Sequence, residues 1–153
     1  MASRIYLGYP PQHVIDWINA HSKPAAGPKT KMTFADGSVE EYDWKGDINQ
    51  QTMTDAGLFA NKSWIKEPQT VEIGSAVTSI GEHAFSDCSS LTSIIIPNSV
   101  TSVGNGVFSK TNITNITIPD SVTNIGEFTF NHCSSLTSVT IGNGVTSIGD
   151  LAF

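Results

Sequence analysis

The chain has 153 residues, 39% of them hydrophobic and only 14% charged. A soluble domain usually carries about 25% charge, so Ser, Thr, Asn and Gly make this surface polar but uncharged. Residues 71–153 hold Lys110 alone against Glu72, Glu82, Asp87, Asp120, Glu127 and Asp150, a net charge of −5 that argues against a nucleic-acid partner, and no apolar run approaches the ~20 residues needed to cross a bilayer.

The N-terminus, Met1 to Pro11, has no long apolar core and no small-residue cleavage site, so it does not read as a secretory signal peptide. Val14, Trp17, Ile18 and His21 then fall at helical spacing and predict a short amphipathic helix behind Pro11. Ser22–Lys29, with Pro24, Gly27 and Pro28, reads as a loop. Lys31–Trp44 predicts a β-hairpin turning at Asp36-Gly37, and Asp47–Asp55 a turn or short helix stopped near Gly57. Trp17, Trp44, Trp64, Tyr6, Tyr9 and Tyr42 all lie here. This aromatic content supports a small α+β domain over residues 1–68, placed to cap or dock the rest of the chain.

From residue 69 onward the sequence repeats. Val77-Thr-Ser-Ile-Gly81 returns as Val100-Thr-Ser-Val-Gly104, Val122-Thr-Asn-Ile-Gly126 and Val145-Thr-Ser-Ile-Gly149, at steps of 23, 22 and 23 residues. Phe85, Phe108, Phe130 and Phe153 keep the same steps, and Val71-Glu-Ile73-Gly is an incomplete earlier copy. Between them run Leu91-Thr-Ser-Ile-Ile-Ile96-Pro, Ile113-Thr-Asn-Ile-Thr-Ile118-Pro and Leu136-Thr-Ser-Val-Thr-Ile141-Gly. In such a run Ile94 and Ile96 share one face of a strand while Ile95 points away. Val77 and Ile80 point inward on a second extended segment, Gly81 turns the chain, and Ala84-Phe85 fills a third corner. No unit can bury its apolar side alone, so the units are expected to stack.

The units Val77-Thr-Ser-Ile-Gly-Glu-His-Ala-Phe85 and Cys88-Ser-Ser-Leu91-Thr-Ser-Ile94-x-Ile96-Pro97 resemble the BspA-like class of bacterial leucine-rich repeats over residues 71–153. The resemblance implies a short solenoid of stacked parallel strands, turns and short helical corners at 69–153. It also implies kinship with surface-exposed adhesion proteins that bind host or bacterial surface components. Function transfers less readily than fold, because repeat scaffolds host many partners.

Stacking would set Glu72, Ile95, Thr117 and Thr140 in one outward column and Ser93, Asn115 and Ser138 in another. Thr78, Thr101, Thr123 and Thr146 would make a third on the second face. Rigid, hydroxyl-rich columns suit protein or carbohydrate contact, although Thr is also simply a good exposed strand residue.

Other chemistry finds little support. Cys88 and Cys133 occupy equivalent positions two coils apart, roughly 9–10 Å at strand spacing, too far for a disulfide. They are expected to be reduced, mostly buried fillers. His13, His21, His83 and His132 show no metal-ligand spacing. Asp36, Glu40, Glu41, Asp43 and Asp47 cluster, but without the regular alternation of a calcium loop. No serine sits in a Gly-x-Ser-x-Gly elbow, Gly104-Asn-Gly106 opens no dinucleotide-binding helix, and the acceptor-like Asn61, Asn112 and Asn115 arise easily in such a repeat. No catalytic residue, metal or cofactor is expected.

The reading is a non-enzymatic binding or adhesion module at a cell or virion surface, with the end of the stack covered by a second copy or another chain. A structural component of a larger assembly, such as a phage virion or tail, is an alternative. An enzyme site within residues 1–70 is another.

Overall fold

The computed structural model describes residues 27–153 and, upstream of them, His13, which is helical and exposed. The rest of the expected amphipathic helix, and Tyr6, Tyr9 and His21 with it, lie outside the described residues. The first element is the expected hairpin. β1 (Thr30–Phe34) and β2 (Val39–Tyr42) pair antiparallel, and Gly37 takes the turn at φ 84°. Asp36 supports that turn by accepting the backbone N–H and hydroxyl of Ser38, bonds that hold its carboxyl below the usual aspartate range.

Next come β3 (Gly46–Ile48) and α1 (Gln50–Asp55). Asn49 caps the helix: its side chain accepts from Thr52 N at 3.2 Å, while the Thr52 hydroxyl accepts from Asn49 N at 3.0 Å. A small hairpin of β4 (Phe59–Ala60) and β5 (Ser63–Trp64) leads into the repeats.

Successive coils then contribute one strand each to two walls. The first wall receives β6 (Pro68–Glu72), β8 (Ser93–Ile95), β10 (Asn115–Ile118) and β12 (Ser138–Ile141). The second receives β7 (Val77–Ile80), β9 (Ser102–Val103), β11 (Asn124–Ile125) and β13 (Ser147–Ile148). The expected solenoid is therefore present, and its strand pairs β6–β8, β7–β9, β9–β11, β10–β12 and β11–β13 are all parallel. β8 and β10 belong to separate sheets, and the segments just ahead of them are joined by two backbone bonds, Asn112 N to Leu91 O at 3.1 Å and Thr114 N to Thr92 O at 3.4 Å.

The interior follows the sequence pattern closely. Leu91, Ile113, Val77, Val100, Val122, Phe85 and Phe108 are fully buried, and Phe130 nearly so. At about 25 cal/mol per Å² of apolar surface, this shared interior is what holds the short strands together. The rings form one column, at 6.1 Å between Phe85 and Phe108, 5.6 Å between Phe108 and Phe130, and 5.3 Å between Phe130 and Phe153. In the final coil the interior positions Ile141, Ile148 and Phe153 are exposed, while Ala152 stays buried.

The N-terminal strands are part of both walls. β1 pairs antiparallel with β6, giving the first wall the order β2-β1-β6-β8, while β3 pairs parallel with β7 at the edge of the second. Ile48 sits beside Ile80 as Val103 and Ile125 do further along, and its carbonyl accepts from Gly81 N as the Ile80 carbonyl accepts from Gly104 N. Asp47 fastens the junction by accepting the Ser79 hydroxyl at 2.6 Å.

The repeated glycines have a different role from the expected one. Gly81, Gly104, Gly126 and Gly149 are absent from the positive-φ residues. They are glycines because the preceding coil passes too close: a Cβ on Gly126 would stand 2.5 Å from Asn105 N, and one on Gly149 2.5 Å from Glu127 N. Close approach of backbones, rather than a turn, fixes this residue type.

Candidate functional site

Within each pair of hydrogen-bonded strands the register sets outward residues side by side. Glu72 lies beside Ile95, and Thr70 beside Ser93; Asn115 lies beside Ser138, and Thr117 beside Thr140. Ser93, Ile95, Asn115, Thr117, Ser138 and Thr140 are exposed, and Glu72 is half-buried. Ile95 is 57% exposed, an isolated aliphatic among hydroxyls.

β1 extends both columns into rows that sequence reasoning missed. Lys31 faces Glu72 and Thr33 faces Thr70 across the antiparallel β1–β6 pair. Strand pairing thus sets Lys31, Glu72 and Ile95 in one row and Thr33, Thr70 and Ser93 in another, and β10 with β12 sets Thr117 beside Thr140 and Asn115 beside Ser138; the repeat step of 22 residues from Ile95 to Thr117 and from Ser93 to Asn115 aligns the two sets. At the junction, Lys31, Thr33, Thr70, Val71, Glu72, Ser93 and Ile95 line a shallow groove of about 190 Å³. Nonlocal antiparallel pairing leaves no period to read, which is why Lys31 and Thr33 carried no signal. The alternation of buried Met32 and Phe34 with Lys31 and Thr33 was the only hint.

The third expected column behaves differently. The Thr101 hydroxyl donates to the Thr78 carbonyl at 3.2 Å, Thr123 to the Thr101 carbonyl at 3.3 Å, and Thr146 to the Thr123 carbonyl at 3.1 Å. These hydroxyls stitch one coil to the next. By contrast, the side chains of Lys31, Thr33, Thr70, Glu72, Ser93, Thr117, Ser138 and Thr140 make no hydrogen bond among the described residues. Asn115 makes one long bond, 3.4 Å to the Thr114 hydroxyl. A column that serves the fold and a pair of rows that does not are thus distinguished by their partners.

The acidic residues of the N-terminal part disperse instead of converging. Glu40 pairs with Lys66 at 2.7 Å and accepts the Tyr42 hydroxyl. The lysine first, and Tyr42 second, hold the Glu40 carboxyl below its usual range, while burial and then Glu40 push the Tyr42 phenol up. Lys66 also sits 3.9 Å over the Phe34 ring. Among the described residues no group of three or more His, Cys, Asp or Glu could hold a metal ion. His83 and His132 are exposed. Cys88 and Cys133 are both free, with Cys88 buried and Cys133 half-exposed. Thr111 lies between them in the stack, its hydroxyl 3.5 Å from Cys133 Sγ. Burial raises the Cys88 thiol well above its ordinary value.

The family described as BspA type Leucine rich repeat region matches residues 54–153 in six copies. The chain belongs to that family. The BspA-type repeats thus begin within the segment that carries α1 and the β4–β5 hairpin. No curated protein matches the chain. Among solved structures, a leucine-rich repeat protein of T. pallidum is similar at 25% identity and TM-score 0.58, over 80% of this chain and 62% of that one. A leucine-rich repeat protein of Bacteroides ovatus matches at 25% identity and TM-score 0.42, over 63% and 36% of the two chains. A leucine rich cell surface protein of Faecalibacterium prausnitzii matches at 22% and 0.45, over 86% and 46%. The chain spans less than two thirds of the length of each of these structures. Among the described residues no helix is long and apolar enough to cross a membrane.

Proposed function

We propose that the outward face of the first wall is a non-enzymatic binding surface for a protein partner, as in adhesion at a cell surface. Residues 1–68 serve as its cap or dock, and residues 69–153 display it. The observation that carries this reading is the contrast between the columns. Thr101, Thr123 and Thr146 tie their hydroxyls to the neighbouring coil, whereas the rows through Thr117 and Ser138 keep theirs directed outward without partners among the described residues.

The physics favours recognition. Side chains fixed on stacked strands lose little freedom when a partner arrives. Lys31 and Glu72 at one end give the rows polarity and register, and exposed Ile95 offers an apolar contact near the groove. Membership in the BspA-type repeat family supports protein binding in general.

The test is solid-phase binding to a panel of extracellular matrix and bacterial surface proteins beside a glycan array. The wild type is expected to bind a protein, and the Thr117→Arg/Ser138→Arg variant to lose at least about tenfold in affinity. Asn124→Arg on the second wall is expected to bind as the wild type does. Binding confined to glycans, or equal loss in both variants, contradicts the proposal.

A further inference from the structure

Two residues before each phenylalanine of the ring column the backbone enters the left-handed region: His83 at φ 56°, Gly106 at 62°, Phe128 at 58° and Leu151 at 54°. Glycine takes this conformation freely, and Asn tolerates it, whereas a bulky side chain is strained by about 1–2 kcal/mol. Gly106 shows that glycine serves the fold here. Phe128 and Leu151 occupy the position nonetheless, and their side chains are 41% and 66% exposed. Phe128 has a further coil beyond it, since its N–H donates to the Asp150 carbonyl at 3.1 Å. The equivalent bonds, Gly106 N to Glu127 O at 2.8 Å and His83 N to Asn105 O at 2.9 Å, hold the corner in place coil after coil.

The adjoining column is acidic. Glu82, Glu127 and Asp150 each precede one of these left-handed residues, and all three are exposed. Among the described residues Glu82 reaches only His83, at 3.5 Å. The carboxylates of Glu127 and Asp150 have no hydrogen bond or ion pair among the described residues. The corner therefore presents Glu127-Phe128 and Asp150-Leu151 as a ridge of paired carboxylate and apolar side chains. Neither half of the ridge contributes to the buried interior.

We propose that this ridge docks a basic amphipathic segment of a partner protein, one that sets Lys or Arg beside aliphatic or aromatic side chains. Charge complementarity selects that occupant. Residues 71–153 carry a net charge of −5 with Lys110 as their sole lysine or arginine, and the apolar half excludes water from the ion pairs, which strengthens them. The ridge lies on the phenylalanine corner and not on the first wall, so this surface and the face of the proposed function stand or fall separately.

The test uses the full chain and a short fluorescein-labelled Leu/Lys amphipathic peptide as probe, read by anisotropy, beside an all-Lys peptide and a Leu/Glu peptide of the same pattern. Saturable binding of the Leu/Lys peptide alone is expected, weakening as salt rises from about 0.05 to 0.5 M. Phe128→Asn/Leu151→Asn keeps the charge and relieves the backbone, so it is expected to stay folded yet bind at least about tenfold more weakly. Glu127→Gln/Asp150→Asn is expected to lose as much, and Thr117→Arg/Ser138→Arg nothing. Undiminished binding by the folded Asn variant, equal binding of either control peptide, or no binding of the Leu/Lys peptide overturns the proposal.

Discussion

The indole of Trp64 lies 6.4 Å from the ring of Phe85 with the planes 6° apart, and its Nε1–H donates to the Ser86 carbonyl at 2.8 Å. Trp64 thereby occupies the place of a phenylalanine in a preceding coil and continues the ring column into the N-terminal part. Trp64→Ala is expected to lower stability by about 2–3 kcal/mol, less than a fully buried ring because Trp64 is half-buried. Trp64→Phe keeps the stack and loses the hydrogen bond, about 1 kcal/mol. Urea unfolding of both variants checks the order.

The close passage of coils makes a second expectation. Gly126→Ala forces a Cβ to 2.5 Å from Asn105 N, against backbone that cannot withdraw cheaply. A loss of about 2–3 kcal/mol is expected. Gly57→Ala, at φ 76° but with open space around it, is expected to cost only about 1 kcal/mol. Thermal melts of the pair separate steric from conformational demand.

Thr123→Val removes a hydroxyl that bonds the Thr101 carbonyl, and about 1 kcal/mol of stability should go with it. Thr117→Val removes an outward hydroxyl with no partner among the described residues and is expected to change stability by less than about 0.5 kcal/mol. Equal effects in chemical denaturation would dissolve the distinction between the bonded column and the outward rows.

The Glu40 carboxyl is held below its ordinary value by Lys66 and Tyr42. Its contribution is therefore complete above the unfolded glutamate value of about 4.3 and fades as the pH falls through the lower folded one. Glu40→Gln should flatten the acid limb of the stability profile below about pH 4.3 and lower stability slightly at neutral pH, the pair being partly exposed.

Cys133 is half-exposed and Cys88 fully buried with its thiol pushed up. A thiol reagent should label Cys133 in the native protein, and Cys88 only after unfolding. Labelling of Cys88 at the native rate of Cys133 would mean that the first coil opens readily.

The repeat told which residues stack because its period survives in every coil: Val77 to Val145 and Phe85 to Phe153 give the register of both walls without further information. The same period gives the neighbours Glu72 and Ile95, and Thr117 and Thr140. The sequence was silent where periodicity fails. Ile48 fills a repeat position 32 residues before Ile80 instead of 22 or 23, since α1 and the β4–β5 hairpin intervene. Trp64, 21 residues before Phe85, was within reach of the period but is a different residue type. Lys31 and Thr33 join the face through antiparallel pairing, which binary pattern cannot locate. Whether a Thr hydroxyl bonds its neighbour's carbonyl depends on its place in the coil: Thr92 and Thr137, just ahead of β8 and β12, bond the preceding coil as Thr123 does, whereas Thr117 and Thr140 inside their strands do not.

The central claim is that N-terminal strand and repeats form one continuous row from Lys31 to Thr140. Spin labels at Lys31→Cys and Thr140→Cys, in a Cys88→Ala/Cys133→Ala background, measure it directly by double electron–electron resonance. Four strand spacings separate the two positions, roughly 19 Å between backbones. A narrow distance distribution near that value, lengthened only by the labels, is predicted. A broad distribution, or a mean beyond about twice that spacing, would contradict the shared face.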